Sequence, residues 1–363
     1  MAQKARIYAE DPLRGFLPST GPLLEYVEPP SSIPTSDDTR LSDCMIRVDS
    51  GVLPGSIISP YYDPMISKLI AYSPNHRTDA IDALKQALDR YVIQGIEQNT
   101  PFLFDVLRHK DFREGNTPTN FIDLHYPDGF SGVELSSEEQ AELVAVAAAV
   151  TTWKREFLGM PPLSLHNVTT GGSEKLVVCI GGMFGNASFV SVTDGIIHVK
   201  HVSYTQDRGE GGDVDELLTD HKVSIDSIKY DPINPVVDVV INGVQKAIQV
   251  QHESNTGVFN AQYCGASFDI VVMSVEEYKL SQFMKEPQVL DTSNLILSPM
   301  PGTLVSYAVE DGDEVVEGQE ICIVEAMKMQ NVLRSPRSGV IKKLHAEMGS
   351  SLMTDETIVE FET

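Results

Sequence analysis

The feature that most constrains the fold is an internal repeat near the C-terminal end of the chain. SPMPG at 298–302 followed by DGD at 311–313 recurs as SPRSG at 335–339 followed by MGS at 348–350, and both pairs are offset by 37 residues. The same offset superimposes two short apolar runs, laying Ile321, Cys322 and Val324 on Ile358, Val359 and Phe361. Short apolar runs between glycine-containing turns are typical of strands. The repeat therefore predicts two halves of a small flattened β-sandwich related by a pseudo-two-fold axis.

The stretch EAMKMQN at 325–331 lies between the two halves and places Lys328 at the tip of a hairpin. A lysine at such a tip is solvated, so its neutral amine can attack an acyl group that another enzyme has activated. The flanking Met327 and Met329 are soft, unbranched side chains that a second protein can contact in several ways. A lysine between two methionines is by itself more often an ordinary surface residue, so the repeat carries the functional interpretation.

In this context, AMKM resembles the biotin-attachment site of the biotin-dependent carboxylases. The lipoyl domain has a similar fold but typically carries DKA at its hairpin, so biotin is the expected covalent cofactor. The resemblance implies that Lys328 becomes biotinyl-lysine and that Met327 and Met329 belong to the cofactor-binding site. It also implies a biotin protein ligase as a partner.

The composition limits the other functions that the chain could have. Its 363 residues and 42% apolar content allow two or three packed domains, and no apolar run approaches the length of a membrane span. A net charge of -25 argues against nucleic acid or an anionic membrane as a partner, so protein partners are expected. The four scattered cysteines predict buried, reduced thiols, and the histidine spacing predicts no metal site.

Residues 1–131 read as a mixed α+β segment. The runs KARIYAEDP, MIRVDSGVLPG and YYDPMISKLIAY predict strands. A helix is predicted with Thr78 as its N-cap and with apolar residues at 3.6-residue spacing from Ala80 to Tyr91. AEDP, FLPSTG, RVDSG and YYDPMISKLI, in this order, resemble the C-terminal subdomain of biotin carboxylase.

In that family, an arginine shortly before AEDP lies in the active site, against the biotin ureido oxygen and bicarbonate. The resemblance therefore implies a catalytic role for Arg6, whose planar and permanently charged guanidinium suits such an oxygen. This chain departs from the family at the two preceding positions, because it has Lys4 and Ala5 in place of Glu and Cys. The alternative is that Arg6 is a solvated charge at a strand end.

The resemblance implies ATP, Mg and bicarbonate for the full-length enzyme. The glycine-rich phosphate loop and the metal-binding carboxylates of an ATP-grasp region have no counterpart in this sequence, so the chain alone is expected to be inactive. Two interpretations stay open. The chain is either the C-terminal half of an enzyme subunit or a natural non-catalytic carrier and docking protein.

The middle segment, 132–290, is predicted to begin with a helix. Ser136 and Glu139 form a capping-box pattern, and the helix that follows is apolar on every face between Leu143 and Val150, so it must be surrounded. About eight strand-like runs follow, which predicts a β-barrel around a central helix. The segment resembles the BT-type subunit-docking domain of acyl-CoA carboxylase α chains, which holds a carboxyltransferase β subunit. A ligand-filled barrel is the alternative.

The expected fold class is thus α+β multidomain. It comprises a partial biotin carboxylase C-terminal subdomain (1–131), the docking domain (132–290) and, after a polar linker, a biotinyl/lipoyl-like biotin carboxyl carrier domain (293–363).

EAMKMQN and HYPDGFSG (125–132) most resemble the propionyl-CoA members of the family. This implies that biotin on Lys328 is carboxylated with ATP and bicarbonate and that propionyl-CoA becomes methylmalonyl-CoA on the β subunit of an α/β hetero-oligomer. Methylcrotonyl-CoA and acetyl-CoA members are alternatives. The expected location is the mitochondrial matrix in a eukaryote and the cytoplasm otherwise.

Overall fold

The computed structural model describes residues 1–33, 39–60, 62–157, 159, 176–193, 196–201, 219–231, 234–253, 258–285, 293–326 and 329–362. Within these ranges the chain is mostly sheet with a few helices. None of the helices in the described ranges is both long and apolar enough to cross a membrane.

The first block, 1–131, combines short antiparallel sheets with helices. Its strands are β1 (Ala2–Tyr8), β2 (Glu10–Asp11), β3 (Leu17–Pro18), β4 (Gly21–Pro22), β5 (Glu25–Val27), β6 (Met45–Ser50), β7 (Ile57–Ile58), β8 (Met65–Tyr72) and β9 (Val92–Gln94). Its helices are α1 (Thr39–Ser42), α2 (Arg77–Asp89), α3 (Thr100–Arg108), α4 (Lys110–Glu114) and α5 (Phe121–His125), with a 3₁₀ helix at Pro12–Arg14. The largest sheet has the order β1-β8-β6, and α2 packs against all three strands.

Helix α2 confirms the predicted apolar face but not the predicted cap. The N-cap is His76, so the assignment of Thr78 is wrong by two residues. The reason is Asp79, whose carboxylate accepts a hydrogen bond from the backbone N–H of His76 at 3.2 Å and thereby fixes the first turn. The expected apolar side chains are buried: Ala80, Ile81, Leu84, Ala87, Leu88 and Tyr91.

The described residues of the second block, 132–290, form α6 (Ser137–Phe157), α7 (Val275–Ser281) and nine strands. The strands are β10 (Leu176–Ile180), β11 (Asn186–Thr193), β12 (Ile196–His201), β13 (Thr219–Val223), β14 (Ile225–Asp231), β15 (Asn234–Ile241), β16 (Val244–Glu253), β17 (Val258–Tyr263) and β18 (Ala266–Ser274). They form one antiparallel sheet with the order β13-β12-β11-β10-β18-β17-β16-β15-β14.

Helix α6 has the predicted cap and the predicted burial. Glu139 accepts a hydrogen bond from the backbone N–H of Ser136 at 2.9 Å, and Ser136 Oγ accepts one from the backbone N–H of Glu139 at 3.2 Å. Buried side chains occur all round the helix: Ala141, Leu143, Val144, Ala145, Val146, Ala147, Ala148 and Val150. An antiparallel sheet packed on one apolar helix is therefore confirmed, and its closure into a barrel stays a prediction.

Polar contacts join the first two blocks. Arg90 is almost fully buried, and its Nη2 lies 2.8 Å from Asp238 Oδ1 on β15. Gln249 Nε2 on β16 donates to the backbone carbonyls of Asp89 and Tyr91, each at 3.0 Å. These bonds fix the C-terminal end of α2 against the nine-stranded sheet.

The buried carboxyl group of Asp89 makes this junction sensitive to pH. Burial raises the pKa of Asp89 to about 7, against an ordinary value of 3.8. Between these two values the folded chain keeps a proton that the unfolded chain has lost, so this group's contribution to stability falls as the pH rises. We expect Asp89→Asn to raise the free energy of unfolding at pH 8 by roughly 2–4 kcal/mol, with little change at pH 4.

Urea unfolding at both pH values measures this difference, and the exposed Asp43→Asn serves as the control. An equal effect of Asp89→Asn at pH 4 and pH 8 would contradict the assigned protonation.

The described residues of the third block, 293–362, form a sandwich of two four-stranded sheets. The strands are β19 (Leu295–Leu297), β20 (Gly302–Tyr307), β21 (Glu314–Val315), β22 (Glu320–Ala326), β23 (Met329–Arg334), β24 (Gly339–Leu344), β25 (Ser351–Leu352) and β26 (Thr357–Phe361). The sheet orders are β19-β26-β24-β21 and β23-β22-β20-β25. Shifting β20 and β21 by 37 residues reproduces the bounds of β24 and β25, which agrees with the predicted repeat.

Hydrogen bonds obey the same pseudo-two-fold relation. The backbone N–H of Gly312 donates to the carbonyl of Ile341 at 2.8 Å, and that of Gly349 donates to Leu304 at 2.7 Å. The repeat offset of 37 residues relates the two bonds, because it places Gly312 on Gly349 and Leu304 on Ile341. The six residues aligned by the repeat, Ile321, Cys322, Val324, Ile358, Val359 and Phe361, are all buried in one core.

All four cysteines are buried and unbridged, as expected: Cys44, Cys179, Cys264 and Cys322. Burial raises the pKa of the Cys179 and Cys322 thiols, each to about 11, which favours the inert neutral form.

Candidate biotin-attachment hairpin

The hairpin between the two repeat halves is formed by β22 and β23. Its register pairs Glu325 with Gln330 and Ala326 with Met329, and the last pair closes the ladder. Met327 and Lys328 are the two residues of the chain between these strands, and both lie outside the described residues. Met329 is described by its backbone alone, as the first residue of β23.

Residues beside the hairpin end are held by side-chain contacts. The carboxylate of Glu325 and the amide of Gln330 face each other across the two strands at 3.4 Å, with both residues exposed. Asn331 Nδ2 lies 3.6 Å from the sulfur of Met300, which is buried in the core of this block. Asn331, on β23, therefore contacts the SPMPG turn.

Gly302, the last residue of SPMPG, allows β20 to approach β22 closely. A Cβ atom at this position would lie 2.6 Å from the carbonyl oxygen of Glu325 and 2.9 Å from Cγ1 of Val324. Only glycine tolerates such an approach of backbone to backbone without a shift. The glycine thus allows β20 to lie directly against the end of β22.

The two SPxxG turns are built alike. Ser298 Oγ donates to the carbonyl of Met300 at 2.7 Å, and Ser335 Oγ donates to that of Arg337 at 2.5 Å. Both serines are buried, so these bonds satisfy hydroxyl groups that water cannot reach.

Arg6 lies on β1, far along the chain from the hairpin. Its side chain is exposed, with Nη1 3.3 Å from the hydroxyl of Tyr8, and its strand partner on β8 is Lys68. The backbone carbonyl of Arg6 accepts a hydrogen bond from Asn99 Nδ2 at 3.2 Å. The guanidinium is thus accessible on the outer face of the sheet, and its catalytic role stays a prediction.

Sequence spacing missed one group of side chains that the fold brings together. His109, Asp111 and His125 offer ligand atoms that all lie within 4.8 Å of one another. Two of them stand at the start of α4 and the third at the end of α5, so no sequence motif could have identified them.

Three family models match the chain in order. Residues 4–124 match the biotin carboxylase C-terminal domain, residues 166–286 match the propionyl-coenzyme A carboxylase BT domain, and residues 294–361 match the model described as biotin-requiring enzyme. This succession defines a chain of the biotin-dependent carboxylase family, as the motifs predicted.

Within that family the chain is similar to propionyl-CoA carboxylase alpha chains. It is 34% identical over 367 residues to the one from Ruegeria pomeroyi, covering 98% of this chain and 50% of the relative. It is 33% identical over 363 residues to the mitochondrial one from Homo sapiens, covering 99% of this chain and 46% of the relative. The chain therefore spans about half the length of the curated relatives it matches.

Among solved structures, the chain is similar to the biotin carboxylase domain dimer of Hydrogenobacter thermophilus 2-oxoglutarate carboxylase. The identity is 35%, the match covers 34% of this chain and 24% of that chain, and the TM-score is 0.30. Covalently bound biotin was the expected cofactor. The match of residues 294–361 to the biotin-requiring model and the carboxylase relatives confirm this prediction.

Proposed function

We propose that this chain is the biotin-carrying part of a propionyl-CoA carboxylase α subunit, with Lys328 as the attachment residue. The observation that carries the proposal is the pairing of Ala326 with Met329, which leaves two residues of the chain, Met327 and Lys328, to connect the strands. By sequence, one amine falls in the connection between the two strands, and the paired residues Ala326 and Met329 flank that connection.

The residues present fit the cofactor. An amide bond between the Lys328 amine and the biotin carboxyl group would attach it, and Met327 and Met329 would offer apolar contact to the ligase and to the cofactor. When bound, biotin supplies a ring nitrogen that accepts a carboxyl group and releases it again. The chain's own contribution is to present this group on a small rigid block and to keep its concentration high near each active site.

The proposed overall reaction uses ATP and bicarbonate and converts propionyl-CoA to methylmalonyl-CoA. Supporting this choice of acyl-CoA are the names of the relatives and the match of 166–286 to a propionyl-CoA carboxylase BT domain. In a eukaryote the proposed location is the mitochondrial matrix, in line with the mitochondrial relatives.

The proposed division of labour follows the blocks: 1–131 contributes to the biotin carboxylase, 132–290 docks the partner, and 293–363 carries biotin. For the docking block we propose a barrel closed round α6. The two edge strands of the sheet, β13 and β14, are separated in the chain by Ser224 alone, so the same continuous segment would form both edges.

Docking is tested by mixing the chain with a propionyl-CoA carboxylase β subunit. We expect the two proteins to elute together in size-exclusion chromatography, because a docking block should bind its partner whether or not biotin is attached. The matched sample is the Lys328→Ala variant, which should elute with the β subunit equally well. Separate elution of both forms would contradict the assignment of 132–290.

For Arg6 we propose contact with bicarbonate or the biotin ureido oxygen, supported by its exposed guanidinium on β1. In an α subunit that also contains an ATP-grasp region, Arg6→Lys should lower bicarbonate-dependent ATP cleavage by about 10²-fold, since a planar fork is lost. The control is Arg47→Lys, because Arg47 is an exposed arginine that forms an ion pair with Asp49 at 2.7 Å. Equal rates for both variants would leave Arg6 as a solvated charge.

A further inference from the structure

Three side chains with metal-binding chemistry meet where α4 and α5 pack together. His109 is the N-cap of α4, Asp111 lies in its first turn, and His125 is the last residue of α5. One ligand atom from each lies within 4.8 Å of the other two, and Nε2 of His125 is 3.2 Å from Oδ2 of Asp111. All three side chains are partly buried, so the cluster is sheltered but reachable from solvent.

Aromatic packing restrains the two imidazole rings. Phe121 packs its ring against His109 with centroids 5.3 Å apart and against His125 with centroids 4.6 Å apart. The two imidazole centroids are 4.0 Å apart. One side of the cluster is therefore apolar, which favours binding of an ion by reducing competition from water.

The hydrogen bonding of the cluster is incomplete among the described residues. Nε2 of His125 is buried and makes no hydrogen bond, although Asp111 Oδ2 lies 3.2 Å from it. A buried nitrogen without a partner is destabilising by itself, and a metal ion would satisfy it.

We propose that His109, Asp111 and His125 form a binding site for a divalent transition metal of the Zn²⁺ type. Two imidazoles and one carboxylate are ligands that Zn²⁺ accepts, at about 2.0–2.2 Å each. The ligand atoms lie within 4.8 Å of one another, and binding would draw them closer by rotation of the rings about χ2, a torsion with broad minima. Three protein ligands leave one position of a tetrahedral ion for water.

Binding of the ion through Nδ1 of His109 would replace a hydrogen bond that this nitrogen makes. This Nδ1 accepts a hydrogen bond from the backbone N–H of Asp111 at 3.2 Å. If the ion binds through this nitrogen, the N–H is released, and it lies in the first turn of a helix, where amides have no helical partner in any case. The ion would link α4 to α5 within the helical part of the first block, which is separate from the biotin-attachment hairpin.

The test is calorimetric titration of the metal-stripped full chain with ZnCl₂. We expect one saturable site per chain, about 10-fold weaker binding for the near-isosteric Asp111→Asn, and about 100-fold weaker binding for His125→Ala. A further pair of histidines, His201 and His221, has ring centroids 5.4 Å apart, so His221→Ala is the control and should bind Zn²⁺ as the wild type does.

Circular dichroism establishes whether each variant is folded. If His125→Ala is not folded, the near-isosteric Asp111→Asn still tests the site. No saturable binding to the wild type would overturn the proposal. It would also be overturned by binding that persists in Asp111→Asn and is lost in His221→Ala, because the histidine pair on the nine-stranded sheet would then be the site.

Discussion

Replacing Lys328 by arginine is expected to abolish biotinylation of the chain. Arginine keeps the positive charge and the length of the side chain, but its guanidinium stays protonated at every accessible pH and cannot attack an activated acyl group. After co-expression with a biotin protein ligase, the wild type should shift fully in a streptavidin gel assay and Lys328→Arg should not shift. The expected effect is therefore complete loss rather than a change of rate.

The matched control is Lys343→Arg, an exposed lysine on β24 in the same block. This variant should be biotinylated like the wild type, since it leaves the β22–β23 hairpin unchanged. A shift that persists in Lys328→Arg, or one that is lost in Lys343→Arg, would contradict the assignment of the attachment residue.

Gly302→Ala is expected to destabilise the third block and to reduce its biotinylation. The new Cβ would lie 2.6 Å from the carbonyl oxygen of Glu325, so β20 and β22 would have to separate. Overpacking of this kind costs typically about 1–3 kcal/mol, and here it acts on the strand that leads into the hairpin. Hydrogen exchange across 293–362, measured by mass spectrometry, should show faster opening of β20 and β22.

The internal repeat supplies a matched control. Gly339 occupies the position of Gly302 in the second half, but a Cβ there would meet its nearest neighbour, Cδ1 of Phe361, at 3.4 Å. We therefore expect Gly339→Ala to cost less stability than Gly302→Ala and to leave biotinylation intact. Equal destabilisation by the two variants would show that the close approach at Gly302 has no special effect.

The third block could be predicted from sequence because its two halves share one pattern. Equivalent residues must occupy equivalent places in the core, so Val324 and Phe361 could be aligned before the strands were known. The apolar helix α6 was predictable for a similar reason, since side chains that are apolar on every face must be covered on every face. In both cases the pattern extended over many residues.

Other features depended on single contacts and could not be predicted. The N-cap of α2 was assigned to Thr78, whereas the carboxylate of Asp79 caps the helix two residues earlier, at His76. The ion pair between Arg90 and Asp238 joins residues 148 positions apart. The first contact is local, but its cap is a histidine, whereas the usual N-cap preference for Ser, Thr, Asp and Asn points to Thr78. The second arises from tertiary packing, and local sequence holds no sign of it.

The measurement that tests the central claim most directly is peptide mapping by tandem mass spectrometry after co-expression with a biotin protein ligase. If the hairpin between β22 and β23 carries biotin, one biotinyl group per chain will be found, and it will be located on Lys328. A chain that stays unmodified under conditions in which the ligase modifies another carrier, or biotin found on a different lysine, would contradict it.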